Sequence, residues 1–279
     1  MKFGFVTCVQ LGLSCIEKII EIGGTLELLI TLNDDRAINK SGRIYLDAIA
    51  KKTNIHLLKI NHINEDIAKK TIRDYNIDWL FIIGWSQIAD RELLNIPNKG
   101  CIGIHPTLLP KGRGRAAIPW AIIKNLDKTG VTMFKLDEGV DTGDIIDQIE
   151  IPLKKDETAT ELYKKVNKAH IDLIAQVYPN LLKNNIVLKK QDENQATYWE
   201  GRTPQDGLLK EEMSIVDAER LVRATTRPYP GAFILNGKEK IIFWKAHIHS
   251  KDISLISNPY IKLKDGVLVA DEWERISVE

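Results

Sequence analysis

The feature that most restricts this chain is an alternation that fills its first half. Short apolar runs at residues 3–6, 26–32, 55–60 and 79–83 are separated by segments with helical spacing of apolar residues, at 10–22, 41–52 and 64–74. Strands alternating with helical patterns signal βαβ units, because parallel strands need a crossover and a helix usually provides it. The unbroken apolar run Trp-Leu-Phe-Ile-Ile at 79–83 predicts a strand covered on both faces. The expected fold class is therefore α/β, with an open, mainly parallel sheet. A dinucleotide fingerprint would follow the first strand, but VTCVQLGLS lacks its glycines, and no P-loop motif occurs.

The turn Pro97-Asn98-Lys99-Gly100 leads into another strand-like run that ends at His105. Residues 116–126 read as a helix, 132–136 and 145–151 as strands, and 158–183 as a long helix. Its Leu162, Val166, Ile171, Ile174 and Val177 are spaced for one buried face. Near Gln191 the texture changes to the polar, turn-rich KKQDENQATYWEGRTPQDG. This predicts one domain over 1–190 and a small β-rich module over 191–279, with a short helix at 217–225 and strands at 241–244 and 267–270.

Charge narrows the partners. The 39 basic and 38 acidic side chains leave a formal charge of +1, whereas a nucleic-acid binder carries a basic excess. A small anion held by a few local arginines stays open. Cys8 and Cys101 sit in apolar strand-like runs and read as buried free thiols, pointing to a reducing compartment. No cysteine or histidine spacing suggests a metal site. No apolar run is long enough to span a bilayer, and the apolar part of MKFGFVTCVQLG is too short for a secretory signal. The expected location is the cytoplasm, without a membrane partner.

Chemistry concentrates between Gly100 and Gly143. Proline after His105 pushes that histidine towards extended backbone, so its imidazole should emerge where a strand gives way to a loop. One helix and one strand later comes the acidic turn DEGVDTGD, Asp137 to Asp144. A histidine and a carboxylate brought together by a crossover suit acid–base work. Between them, Lys111-Gly112-Arg113-Gly114-Arg115 precedes a helix start, which reads either as an anion site or as a solvated basic loop. His56, His62, His170, His247 and His249 have no such context and read as surface or packing residues.

HPTLLP, RGRAAIPW and TGVTMFKLDEGVDTGD occur in that order, with IIGWSQI upstream and TYWEGRTPQDGLL and RATTRPYPGAF downstream. Together they resemble the 10-formyltetrahydrofolate-dependent formyltransferases over about residues 1–245. The resemblance implies a Rossmann-like catalytic domain followed by a small barrel-like module, here trimmed, and N10-formyltetrahydrofolate as cosubstrate. It makes His105 the catalytic histidine and Asp141 the catalytic aspartate. Thr107, Leu108, Leu109 and Pro110 are expected to contact the folate. Ile83, Gly84, Trp85 and Gln87, with Asp137, Glu138 and Gly139, are expected to line the pterin pocket through backbone groups, Asp137 alternatively serving only the turn. Gly103 stands where the family carries asparagine.

That glycine leaves three readings. The missing amide donor is replaced by protonated His105, a backbone N–H exposed at Gly103 or an ordered water; or Gly103 makes room for a different amine or a donor such as Gln87; or the site binds without turnover. Near-neutral charge and a short tail favour a nucleotide-linked amino sugar over methionyl-tRNA as acceptor, because phosphate contacts dominate nucleic-acid affinity. Arg113, Arg115 and Arg202 are the expected phosphate ligands by position. Methionyl-tRNA formylation and a catalytically quiet folate- or sugar-nucleotide-binding protein are the alternatives. A homodimer through the C-terminal half fits the amino-sugar reading.

Overall fold

The computed structural model describes residues 1–38, 40–249 and 257–277. The first half runs β1 (Phe3–Val6), α1 (Gln10–Glu21), β2 (Leu28–Leu32), α2 (Asp47–Thr53), β3 (His56–Ile60), α3 (Asp66–Asp74), β4 (Trp79–Ile83), α4 (Arg91–Leu94) and β5 (Gly100–His105). It continues through β6 (Arg113–Gly114), α5 (Ala117–Ile123), β7 (Lys128–Lys135), β8 (Ile145–Pro152), α6 (Ala159–Leu182) and β9 (Tyr198–Trp199). Seven strands form one sheet in the order β3-β2-β1-β4-β5-β7-β8. Pairing is parallel from β3 to β5 and antiparallel between β5 and β7. This is the open, mainly parallel Rossmann-like sheet expected from the alternation. Strand order reverses between β1 and β4, so the crevice beyond their carboxyl ends is where a ligand binds in such sheets.

Apolar burial explains the assembly. β1, β2, β4 and β5 are buried at every position. Ala68 and Ile72 of α3 close over Leu28, Ile30 and Leu80 in one core cluster. Each large apolar side chain buried this fully stabilises the fold by roughly 1.5–3 kcal/mol.

Two helices are shorter than their periodicity implies. Over 41–52, helix begins only at Asp47. The preceding residues pair with residues 8–10, between β1 and the start of α1: Ile44 N donates to Cys8 O, Gln10 N donates to Gly42 O, and Val9 bridges Arg43. Of the apolar residues in this segment Leu46 is fully buried, Ile44 half-buried and Tyr45 exposed. Over 116–126, α5 keeps seven residues, because Ala116 and Asn125 adopt left-handed backbone at φ 55° and 51°.

Packing divides the chain into two units that are not contiguous in sequence. The first comprises Met1–Gly114, Gly130–Ile151 and Val166–Tyr198; the second comprises Arg115–Thr129, Pro152–Lys165 and Trp199–Glu279. A single cut at 190/191 thus differs from the observed division, since two earlier segments join the second unit. That unit contains α7 (Ile215–Thr225), β10 (Ala232–Asn236), β11 (Glu239–His249), β12 (Tyr260–Leu263) and β13 (Gly266–Ser277). Its four strands form an antiparallel sheet in the order β10-β11-β13-β12. Ala218, Val222, Phe243 and Leu268 make its core. Among the described residues no helix is long and apolar enough to cross a membrane, and no group of three metal-ligating side chains occurs.

His170 is a packing residue, as expected, and it carries a pH signature. It is 1% exposed on α6, with Nδ1 2.8 Å from the Val166 carbonyl, so that Nδ1–H donates. Burial, reinforced by the nearby charge of His105, pushes its pKa down from 6.5 to about 4. Between those values the unfolded chain binds the extra proton, so stability rises with pH across the window and falls on acidification. The expected loss from pH 7 to 4 is about 3 kcal/mol from this group. In His170→Leu, urea midpoints measured at several pH values should show a correspondingly flatter acid limb.

Candidate active site

His105 ends β5 with 8% of its surface exposed, beside β4 on one side and β7 on the other. Its Nε2 lies 2.8 Å from the Gly112 carbonyl oxygen. A carbonyl only accepts, so this contact places a proton on Nε2 and leaves Nδ1 as the basic nitrogen. Nδ1 faces Asp141 Oδ2 at 3.5 Å. The ring is thus oriented chiefly by Gly112, and the Asp141 carboxylate stands close to Nδ1.

Asp141 is fixed by the same loop that carries Gly112. Its Oδ2 accepts from Gly114 N at 2.9 Å. Its backbone is left-handed at φ 55°, a conformation that costs a non-glycine residue on the order of 1 kcal/mol. Gly112 at φ 72° is also left-handed, which a residue without Cβ adopts freely. His105 and Asp141, far apart in sequence, therefore meet through one turn of residues 112–114.

The segment after His105 is pinned from below. Thr132 Oγ1 donates to Thr107 O and accepts from Leu109 N, and Gln148 Nε2 donates to Leu109 O and Thr132 Oγ1. Thr107 and Leu109 are buried, at 1% and 3% exposure. The Leu109 side chain packs with Phe134 and Ile145, the Thr107 hydroxyl has no protein partner among the described residues, and Leu108 and Pro110 are half-buried.

Beyond β4, Gly84 is left-handed at φ 66°, and a Cβ there would lie 2.2 Å from Val9 Cγ2. This close approach joins the ends of β1 and β4 at the reversal of strand order. Ile83 is fully buried and Trp85 half-buried. The Trp85 Nε1–H and Thr107 hydroxyl are buried polar groups with no protein partner among the described residues. Unpartnered buried donors next to apolar walls fit a polar heterocycle such as a pterin.

Several expected roles change. Gln87 Oε1 accepts from Ile63 N and its Nε2 donates to Asn61 O, which ties its side chain to residues 61–63. Asp137 Oδ1 accepts from Gly139 N and Thr142 Oγ1, so its side chain serves the turn. Gly139 fits against Thr142, whose Oγ1 would be 2.0 Å from an added Cβ. Glu138 pairs with Arg91 at 3.0 Å on the surface.

Arg113 is not a phosphate ligand. It is fully buried and holds Glu193 with two bonds of 2.6 and 2.8 Å, the Tyr198 hydroxyl at 2.8 Å and Gln191 Oε1. Glu193 accordingly raises its pKa still further, and Arg113 lowers that of Glu193. The anion cradle expected at 111–115 is therefore not formed, since its central cation turns inward and α5 has only about two turns. Arg115 and Arg202 belong to the second unit and pair with no carboxylate among the described residues. Arg202 lies 5.1 Å over the Trp120 ring and donates to Asp206 O; burial lowers its pKa.

At Gly103 an added Cβ would lie 2.8 Å from Leu136 Cδ2 and 3.3 Å from Phe134 Cε1. Alternate residues of a strand share a face, so Gly103 and His105 point the same way. The Leu136 side chain occupies the space that an asparagine would need. Gly112, Leu136, Gln191 and Glu193 were missed in the sequence. The last two lie in what reads as a polar linker.

The chain matches the formyl transferase family over residues 33–178 and the formyl transferase C-terminal domain over residues 202–277. It is 32% identical over 249 residues to the bifunctional polymyxin resistance protein ArnA of Wigglesworthia glossinidia brevipalpis, covering 88% of this chain and 37% of that protein. The chain thus spans little more than a third of that relative. An N-formyltransferase from Helicobacter canadensis, solved with folinic acid and dTDP-3-aminofucose, superposes with TM-score 0.69 at 18% identity, over 100% of this chain and 99% of that one. Methionyl-tRNA formyltransferase from Clostridium thermocellum gives TM-score 0.65 at 20% identity, over 99% of both chains. Two family matches in order, the first spanning β3 to most of α6 with His105 and Asp141 and the second the C-terminal module, lead to one conclusion: the chain belongs to the formyl transferase family.

Proposed function

We propose that this protein transfers the formyl group of N10-formyltetrahydrofolate to the amine of a nucleotide-linked amino sugar. The observation that carries the reading is the imidazole of His105 held between the Gly112 carbonyl and the Asp141 carboxylate. The folate supplies an activated formamide carbon. The free amine attacks with its lone pair, and the positively charged nitrogen of the tetrahedral adduct must then lose one proton. His105 takes it at Nδ1, and the resulting imidazolium faces two acceptors, Gly112 O and Asp141 Oδ2. The same proton then passes to the departing N10 nitrogen, which restores neutral His105.

The amino-sugar acceptor draws support from the relatives, one a polymyxin resistance protein and one solved with a dTDP-linked amino sugar. The formal charge of +1 favours a small anion over tRNA. Arg115 and Arg202 are assigned to the diphosphate by their position in the chain. The proposed compartment is the cytoplasm, in keeping with three free, buried cysteines. A homodimer through the C-terminal half belongs to the same reading.

The test is tetrahydrofolate release under single-turnover conditions, with a panel of dTDP- and UDP-linked amino sugars and with methionyl-tRNA. Release with an amino-sugar nucleotide, together with a formylated product by mass, is expected. Release with methionyl-tRNA alone would move the function to initiator tRNA. Folate binding without release on any acceptor would leave a binding protein.

A further inference from the structure

Residues 189–198 form a strap that touches both halves of the site. At one end Lys189 and Ile145 exchange two backbone hydrogen bonds of 2.8 Å, immediately after the acidic turn. At the other end Thr197 N donates to Pro110 O, its Oγ1 accepts from Gly112 N at 2.9 Å, and its carbonyl accepts from Arg113 N. Gln191 lies between these anchors. Its Nε2 donates to Asp141 O at 2.8 Å and to Gly143 O at 2.7 Å. Its Oε1 accepts from Arg113 Nε and Nη2 at 3.2 and 2.8 Å.

The orientation of this amide is unambiguous. A guanidinium only donates and a carbonyl only accepts, so oxygen must face Arg113 and nitrogen must face the acidic turn. Arg113 is in turn immobilised by Glu193 and Tyr198. A left-handed aspartate persists only where its surroundings over-determine it, and Gln191 is the side chain that grips the Asp141 carbonyl.

We infer that Gln191, anchored by the buried Arg113, is a positioning residue that sets the backbone of Asp141 and thereby aims its carboxylate at His105. The inference rests on the proposed formyl transfer. The strap also explains why an arginine next to the site is buried rather than offered to a phosphate. It couples the Asp141 turn to the Gly112 loop, so the two acceptors flanking the imidazole are held by one segment.

Gln191→Glu is the informative variant, because it keeps the acceptor for Arg113, removes both donors to the turn and sets a carboxylate oxygen against the two carbonyls. Steady-state kinetics should show kcat lowered about 10–100-fold, the scale of a misplacement near 1 Å, with KM for folate and acceptor within about twofold. Gln191→Met, which lacks both functions, should lose at least as much. Hydrogen exchange of the peptide covering 137–144 should accelerate in both variants while the thermal midpoint stays close to wild type. Unchanged kcat in Gln191→Glu, or a raised KM at constant kcat, would overturn the inference. So would unchanged exchange at 137–144, a readout that needs no turnover and still decides if the wild type formylates no acceptor tested.

Discussion

His105→Gln is expected to lower single-turnover formyl transfer by about 10²–10⁴-fold, the usual contribution of a positioned general base. The side chain keeps a polar amide near the Gly112 carbonyl but has no basic nitrogen at the Nδ1 position. Because His105 is nearly buried and bonded at 2.8 Å, an isosteric amide disturbs packing less than alanine. Folate binding, measured by fluorescence or calorimetry, should stay within about threefold of wild type, a difference well under 1.4 kcal/mol. Asp141→Asn should cost less than His105→Gln. It retains an oxygen for Gly114 N, while the imidazolium loses its charged partner. Equal activity of His105→Gln and wild type would remove the histidine from the chemistry.

The second large effect concerns Gly103. Asparagine alone should depress both stability and turnover, because its Cβ would meet Leu136 Cδ2 at 2.8 Å and Phe134 at 3.3 Å. Overpacking of this kind costs about 1–3 kcal/mol. Since Leu136 presents a flexible side chain rather than backbone, trimming it should relieve the clash. Gly103→Asn combined with Leu136→Ala should therefore exceed either single variant in turnover by admitting an amide donor. The ceiling is the roughly 3–4 kcal/mol that one preorganised oxyanion donor is worth. A thermal melt and a turnover assay on the four proteins of this cycle decide the point. A double variant no faster than Leu136→Ala alone would mean that no amide donor is missing.

The fold was largely legible because it is written in short-range pattern. Residues 3–6 and 79–83 match β1 and β4, and the long helix expected at 158–183 is α6 at Ala159–Leu182. Failures occurred where tertiary pairing overrode periodicity, as at 41–46, where backbone bonds to residues 8–10 take the place of helical ones. His105 and the acidic turn at 137–144 could be picked out from context, and the family resemblance singled out Asp141 within that turn. Their geometry could not, because the ring is held by a backbone carbonyl that no residue identity announces. Arg113 was misread for a similar reason. Its partners Gln191 and Glu193 are far along the chain, in a stretch whose composition resembles a linker.

The most direct test follows an isotopically labelled formyl group from N10-formyltetrahydrofolate in a rapid-quench experiment, using wild type and His105→Gln against dTDP- and UDP-linked amino sugars. Label is expected on the amino-sugar nitrogen within one wild-type turnover, with tetrahydrofolate released in equal amount. The variant should bind the folate and transfer label orders of magnitude more slowly. Label reaching the sugar at the same rate in both proteins, or reaching no amino sugar in either, would contradict the account.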